Sequence, residues 1–142
     1  MALSTDIYTI LRANADVLST FGTRIYPVLA PENATFPYIT YQLTSLTTNE
    51  NKTYANKFDE CYITVSVFHT DITNAEVYGN YVRTAMNRYT GTIGSDKVMG
   101  VGLQSQSWEA EFQVSESGAS TGLAIYSVQS QWKILIAQNI SE

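Results

Sequence analysis

The chain has 142 residues, 44% of them apolar, which is the length and composition of one domain with its own core. Its 13 acidic and 8 basic residues give a net charge of −5 without a Lys/Arg cluster, so tight binding to a phosphate backbone is not expected. No apolar run approaches about 18 residues, and no basic segment followed by an apolar one opens the sequence. We therefore predict a single domain over residues 1–142 that neither enters a membrane nor is secreted.

The first predicted element is an amphipathic helix between Ser4 and Phe21. Its apolar residues recur at spacings of three, four and seven, and they are Ile7, Ile10, Leu11, Val17, Leu18 and Phe21. Ser4 is the expected N-cap, and Gly22 ends the helix. A break near residues 14–16 would give two shorter helices instead, and the sequence leaves both alternatives open.

Three prolines lie between Thr23 and Pro37 and predict a structured crossing loop. Proline fixes the backbone and removes an amide donor, which excludes a helix or a central strand in this segment. The residues from Tyr38 to Leu46 then alternate between apolar and polar, as in a half-buried strand. The first long strand of the sheet is predicted there.

A polar stretch from Thr47 to Phe58 separates this strand from the next one. Its low apolar content predicts a mobile loop that becomes ordered against a partner, with Tyr54 and Lys57 as its candidate contact residues. The second strand follows from Cys61 to His69, and apolar residues on both of its faces indicate that both are partly covered. A single cysteine within a strand indicates a buried, reduced thiol in a cytoplasmic chain.

The next element is a helix that the spacing of Thr73 and Glu76 predicts to begin with a capping box. We expect it to run to about Tyr89, before Gly91 stops it. Its expected inward stripe consists of Val77, Tyr81, Val82, Ala85, Met86 and Tyr89.

The last third of the chain predicts a long hairpin with arms at Val101 to Val114 and Thr121 to Ile136. At about 3.3 Å per residue each arm reaches roughly 40 Å, whereas a domain of this size has a radius of gyration of about 14 Å. The predicted fold is therefore α+β, with a mostly antiparallel sheet of about four strands, two main helices and a long C-terminal β-hairpin.

The apolar face of this hairpin changes partway along its length. If Phe112 lies opposite Leu123, then Trp108 faces Ser127, and Trp108, Phe112, Leu123 and Ile125 form an apolar patch near the tip. In the same register the apolar residues at the base lie on the other face. Two interpretations remain open: the tip packs on an adjacent subunit, or a bulge shifts the alternation within a single core.

Catalysis and metal binding find little support in the sequence. The only histidine, His69, lacks a Gly-x-Ser-x-Gly elbow, and one histidine with one cysteine falls short of a zinc site. Glu109 and Glu111 share a strand face as a glycosidase pair would, but they more simply mark the solvated side of an amphipathic strand. The glycines at 91, 94, 100 and 102 match no phosphate-binding loop. We predict no enzyme, cofactor or metal, and a hydrolase using the two glutamates is a distant alternative.

A resemblance to a known family begins at Arg24-Ile-Tyr-Pro27 and continues with Ala30-Pro31 and Phe36-Pro-Tyr-Ile-Thr-Tyr41. Together with the helices and strand around it, over about residues 4 to 90, this pattern is similar to the small phage tail-completion proteins. In this motif Arg24 is expected to pair with a carboxylate or with loop carbonyls. Tyr26, Pro27, Pro31, Pro37 and Tyr38 set the crossing.

The resemblance implies a tail terminator at the head-proximal end of a virion, assembled in the host cytoplasm. Such a protein is a homo-oligomeric ring, usually of six subunits, that caps the tail tube, ends its growth and offers a surface to the head connector. Its partners are further copies, the tail tube protein and a head connector or head-completion protein, and DNA passes through without tight binding. A head-closure or tube protein of the same virion remains the alternative.

Overall fold

The computed structural model describes residues 3–28, 30, 35–49, 58–93, 96–114 and 120–137. The elements in chain order are α1 (Leu3–Arg12), α2 (Ala15–Phe21), β1 (Ile25–Pro27), β2 (Tyr38–Asn49), β3 (Phe58–His69), α3 (Ile72–Met86), β4 (Gly91–Ile93), β5 (Asp96–Val114) and β6 (Ser120–Ala137). Six strands form one sheet in the order β1-β2-β3-β6-β5-β4. β1 pairs with β2 in parallel and the other pairs are antiparallel. The α+β class is confirmed. The sheet has six strands and not the predicted four, because the short edge strands β1 and β4 and the parallel β1–β2 pair were not predicted.

The N-terminal helix is divided at Asn14, which is the second of the two alternatives that the sequence left open. The Asn14 Oδ1 accepts hydrogen bonds from the backbone amides of Asp16, at 2.9 Å, and Val17, at 3.2 Å. An asparagine in extended backbone conformation is a favourable N-cap, so α2 begins afresh after it. Leu18, predicted to face inward, is exposed, whereas the other five residues of the predicted stripe are buried.

The third helix begins earlier than its sequence pattern predicted. Its N-cap is Asp71, whose Oδ1 accepts from the Thr73 amide at 3.0 Å, so the predicted capping box at Thr73 is wrong. The helix ends at Met86 and not near Tyr89. Aspartate is a better N-cap than threonine, and the Asp71 carboxylate also accepts a hydrogen bond from Asn74 Nδ2 at 3.3 Å.

The predicted stripe of α3 is confirmed at Val82 and Met86, with Tyr81, Ala85 and Tyr89 partly buried against the core, and it is wrong at Val77. The buried residues of the helix are Ala75, Gly79, Val82 and Met86, whereas Val77 is exposed. A Cβ atom added at Gly79 would lie 2.9 Å from Val128 Cγ1 on β6. Small residues therefore let the helix lie close to the sheet, and this contact decides which face is turned inward.

The core lies between the helices and one face of the sheet. Across the strands, Leu103 of β5, Trp132 of β6, Ile63 of β3 and Leu43 of β2 stand opposite one another in that order. Trp132 and Ile63 are almost fully buried. The opposite face carries mainly serine, threonine and glutamine, and much of it is accessible to solvent. We call these the helix-covered face and the open face.

The long hairpin is confirmed, with pairing from Lys97 opposite Ala137 to Val114 opposite Ser120. The predicted register holds at its base, where Leu103 lies opposite Trp132. Nearer the tip the prediction is wrong by one residue, because Phe112 lies opposite Ala124 and not Leu123.

The cause of this difference is an irregularity between Leu103 and Ser105. One extra residue restores the alternation, so Trp108, opposite Val128, lies on the helix-covered face together with Leu103. Ile125 lies opposite Glu111 on the open face. The bulge interpretation therefore accounts for the change of face, and the predicted tip patch is divided between two faces.

Candidate assembly surfaces

The described part of the chain holds no cluster of three or more His, Cys, Asp or Glu side chains that could bind a metal. Cys61 is buried in the core, and the His69 ring lies 5.7 Å from the Tyr78 ring. The Glu109 carboxylate accepts a hydrogen bond from Gln129 Nε2 at 3.2 Å, while the Glu111 side chain lies outside the described part. No described helix is long and apolar enough to span a membrane.

Arg24 joins the end of α2 to the start of β2. Its Nη2 donates to the Thr20 carbonyl at 2.7 Å and its Nε donates to the Pro37 carbonyl at 3.0 Å. The Thr20 carbonyl belongs to the last turn of a helix, where a cation is favourable. The sequence suggested a carboxylate or loop carbonyls as partners of this guanidinium. In the structure its partners are one loop carbonyl, that of Pro37, and one helix carbonyl, that of Thr20.

The backbone beside Arg24 sets the position of the first edge strand. The Ile39 amide donates to the Arg24 carbonyl at 3.0 Å, and the Val28 amide donates to the Tyr41 carbonyl at 2.8 Å. Pro27 ends β1 at the edge of the sheet, where a missing amide donor costs little.

Four aromatic side chains form a row along one end of the sheet. The Tyr38 ring stacks on Phe68 at 5.0 Å and on Phe36 at 5.3 Å, and Tyr26 meets it edge-on at 6.2 Å. The Phe36–Pro37 peptide bond is cis. The row ends at a shallow pocket of about 130 Å³, lined by Phe68, Glu109, Ala110, Ile125, Ser127 and Gln129. Three of the four aromatics, Tyr26, Phe36 and Tyr38, belong to the motif found in the sequence.

The outer edges of the sheet are paired over only part of their length. On β5, β4 pairs with Asp96 to Val98, and the Arg88 amide donates to the Val101 carbonyl. On β2, β1 pairs with Ile39 to Tyr41. Within the described residues no strand pairs with the outer side of β5 from 102 to 114 or of β2 from 42 to 49. Unpaired strand edges favour association with another chain.

Large apolar side chains are exposed beside both of these edges. Val28 and Leu43, exposed by 62% and 45%, lie at the β1–β2 edge, and Met99 and Trp108, exposed by 49% and 56%, lie on β5. An apolar cleft of about 180 Å³ adjoins the β1–β2 edge and is lined by Ser4, Ile7, Pro27, Val28, Tyr41, Leu43 and Ile63. We call this the edge cleft.

The predicted interface residues are thus distributed over several places. Trp108 is exposed on β5, and Ile125 is half-buried on the open face. The backbones of Phe112 and Leu123 belong to β5 and β6, and their side chains lie outside the described part. The segment carrying Tyr54 and Lys57 also lies outside it, as does Pro31. Of the loop predicted at 47–58, residues 47–49 belong to β2 and Phe58 to β3, and the remainder lies outside the described part.

Sequence patterns did not indicate the edge cleft. Leu43 fits the inward positions of an alternating strand, and its exposure arises because the edge beside it is unpaired. Val28 follows a proline in a loop and has a φ of +67°, which is unusual for a β-branched residue. The signal for a contact surface here comes from the structure: an apolar side chain is exposed although its backbone conformation is unfavourable.

A small α+β domain with a projecting hairpin, partly unpaired sheet edges and exposed apolar side chains beside them has the features of a structural assembly protein. The sequence matches the family of the tail completion protein gp17 over residues 5–116. The chain belongs to this family, whose members are structural virion proteins, and it is a structural protein of a phage tail or neck. The resemblance found in the sequence is confirmed, and the match extends beyond residue 90 into β5.

The fold agrees with that of a chain in the virion of a native gene transfer agent particle. The two structures superpose with a TM-score of 0.70, covering 93% of this chain and 92% of the other, at 14% sequence identity. Comparison with curated proteins gives no match.

Proposed function

We propose that the protein forms a ring of about six subunits that caps the phage tail tube, ends tail growth and presents a surface to the head connector. The observation that carries this proposal is membership of the tail-completion family over most of the chain. The proposed partners are further copies of the chain, the tail tube protein and the head connector. In the virion the protein would occupy the head-proximal end of the tail.

The surface of the chain is compatible with a ring through which DNA passes. A closed ring needs two different surfaces on each subunit, and this sheet carries partly unpaired edges on opposite sides. Six chains with a net charge of −5 carry about 30 negative charges, which repel a phosphate backbone. Acidic residues should therefore line the lumen, and the purified protein should not retain DNA at moderate salt.

The proposal is tested by assembling tails without this protein and measuring their length by electron microscopy. If the protein is a terminator, tails assembled without it should be irregular and too long. Adding the purified protein should restore a uniform length. A head-closure protein would instead leave tails of normal length that fail to join heads. Native mass spectrometry should give about 95 kDa for six chains of 15.8 kDa. A protein that stays at monomer mass at high concentration and on isolated tails would contradict the ring.

A further inference from the structure

We infer that neighbouring copies of this chain join head to tail, with Trp108 on the β5 edge of one copy seated in the edge cleft of the next. This inference rests on the proposed ring and specifies the contact that builds it. The occupant of the cleft is thus a second copy of the chain.

Trp108 has the properties of an interface anchor. It is 56% exposed although it stands opposite Val128, which is 2% exposed. Gly79 of α3 lies against Val128 on β6, whereas Trp108 lies one strand further out, on β5. Of the side chains that the structure describes, it is the only aromatic among the exposed large apolar residues. Tryptophan is strongly enriched among the residues that dominate the binding energy of protein interfaces.

The edge cleft is suited to an apolar occupant. All seven of its lining residues are uncharged, and its accessible surface is dominated by carbon atoms. Val28 at its rim is exposed by 62% with a φ of +67°, held by the hydrogen bond from its amide to the Tyr41 carbonyl. The chain therefore presents an apolar side chain here despite an unfavourable backbone conformation.

The charges around Trp108 permit this contact. Its neighbour Glu109 lies on the open face of the sheet, where Gln129 holds its carboxylate. Seating Trp108 therefore does not require an unpaired carboxylate to enter the cleft, which would oppose association. Leu43 in the cleft and Trp108 both belong to the helix-covered face, so two sheets lying side by side bring these residues to the same layer.

The positions of the two surfaces decide the kind of assembly. The cleft lies at the β1–β2 edge of the sheet, and Trp108 lies at the opposite edge, on β5. A contact between two different surfaces is heterologous, and repeating it by rotation closes a ring instead of ending at a dimer. The unpaired strand edges beside both surfaces extend the same contact.

The inference is tested with two single variants, Trp108→Asp and Leu43→Asp, each with a charge on one side of the contact only. Leu18→Asp is the matched control, because Leu18 is 42% exposed on α2 and does not line the edge cleft. Each edge variant should keep the circular dichroism and melting temperature of a folded chain. The protein concentration that it needs for assembly should rise by at least tenfold. The control should assemble like the wild type.

Mixing the two edge variants gives the decisive result. Each mixed pair retains one intact contact, between Trp108 of the Leu43→Asp chain and the cleft of the Trp108→Asp chain, so dimers of about 32 kDa should form without rings. Absence of dimers in the mixture would overturn the inference, and so would a wild type that assembles only to a dimer, which is the product of an isologous contact. So would edge variants that assemble normally.

Cross-linking supplies a measurement that does not depend on a destabilising charge. Ala110 is exposed on β5, two residues from Trp108 and on the same face, so Ala110→Cys leaves the anchor in place. Mixed with Val28→Cys it should be joined between chains by a short bismaleimide, while either variant alone should not; Cys61 is buried and can remain. Cross-links within each variant alone, and none in the mixture, would contradict the head-to-tail contact. If the wild type itself never assembles, even on isolated tails, the proposed function fails as well. Failure of the contact alone leaves wild-type rings intact.

Discussion

Replacing Gly79 by alanine tests the close approach of α3 to the hairpin. The new Cβ would lie 2.9 Å from Val128 Cγ1, closer than real Cβ contacts, and 3.3 Å from Val128 Cβ, which is tighter than most. Val128 is buried, and a β-branched side chain has little freedom to turn away. One of the two elements must therefore shift.

The expected magnitude is the difference between two opposing effects. Overpacking of a core costs about 1–3 kcal/mol, whereas alanine stabilises a helix interior by about 1 kcal/mol relative to glycine. The net result should be a loss of about 1 kcal/mol in the free energy of unfolding, or roughly 3 °C in melting temperature for a domain of this size. Urea and thermal unfolding of the monomer measure both quantities.

A double-mutant cycle separates the two effects. In a Val128→Ala background the 2.9 Å contact is removed and only the tight contact with Cβ remains. Gly79→Ala should then become stabilising by somewhat less than about 1 kcal/mol, so the sign of its effect should reverse. Comparing Asn80→Ala with Asn80→Gly at an exposed position of the same helix measures the propensity term directly. If Gly79→Ala stabilises the protein that retains Val128, the close contact does not control the position of α3.

Four further changes address the crossing, the cap, the edge cleft and the hairpin tip. Val28→Asn should raise the free energy of unfolding by about 1 kcal/mol in urea, because asparagine tolerates a positive φ better; unchanged stability would indicate that the conformation is not strained. Arg24→Met should lower stability by roughly 2 kcal/mol through the loss of two hydrogen bonds to carbonyls, and Arg24→Lys should recover only part of it; a neutral Arg24→Met would contradict its role at the crossing. Asn14→Ala should cost about 1 kcal/mol, and Asn14→Asp, which can still cap α2, should cost much less; equal losses would exclude the cap as the cause. Phe112→Asp should stay folded by circular dichroism but no longer assemble if the hairpin tip contacts a neighbour, whereas an unfolded monomer would place Phe112 in its own core.

Elements with local chemical signals were predicted well from the sequence. The helix before Gly22, the proline-rich crossing, the alternating strand that became β3 and the long hairpin all follow from turn chemistry and apolar periodicity. The predicted boundaries failed where two residues compete for one role. Asp71 and Thr73 both suit an N-cap, and only the folded chain decides between them.

The candidate assembly surfaces were predictable only in part. The sequence proposed Trp108 as a contact residue because it is an aromatic residue on a long amphipathic strand, and the structure shows its side chain exposed. Its role in a contact stays a prediction. The edge cleft was missed because its walls come from α1, the end of β1, β2 and β3, which no local pattern brings together. The family itself was identified from the crossing motif, which is a local sequence feature.

By itself, the sequence determined the fold class, the kinds and order of the main elements, and the lack of a recognisable catalytic or metal-binding motif. These follow from composition, from periodicity and from residues such as proline and glycine, whose effects act on their own segment of backbone. The tertiary structure decided which face of α3 is buried, because Gly79 must fit against Val128. It also set the hairpin register through the bulge after Leu103, which returns Trp108 to the helix-covered face. Both depend on contacts between distant segments, whose geometry arises only when helices and sheet pack together.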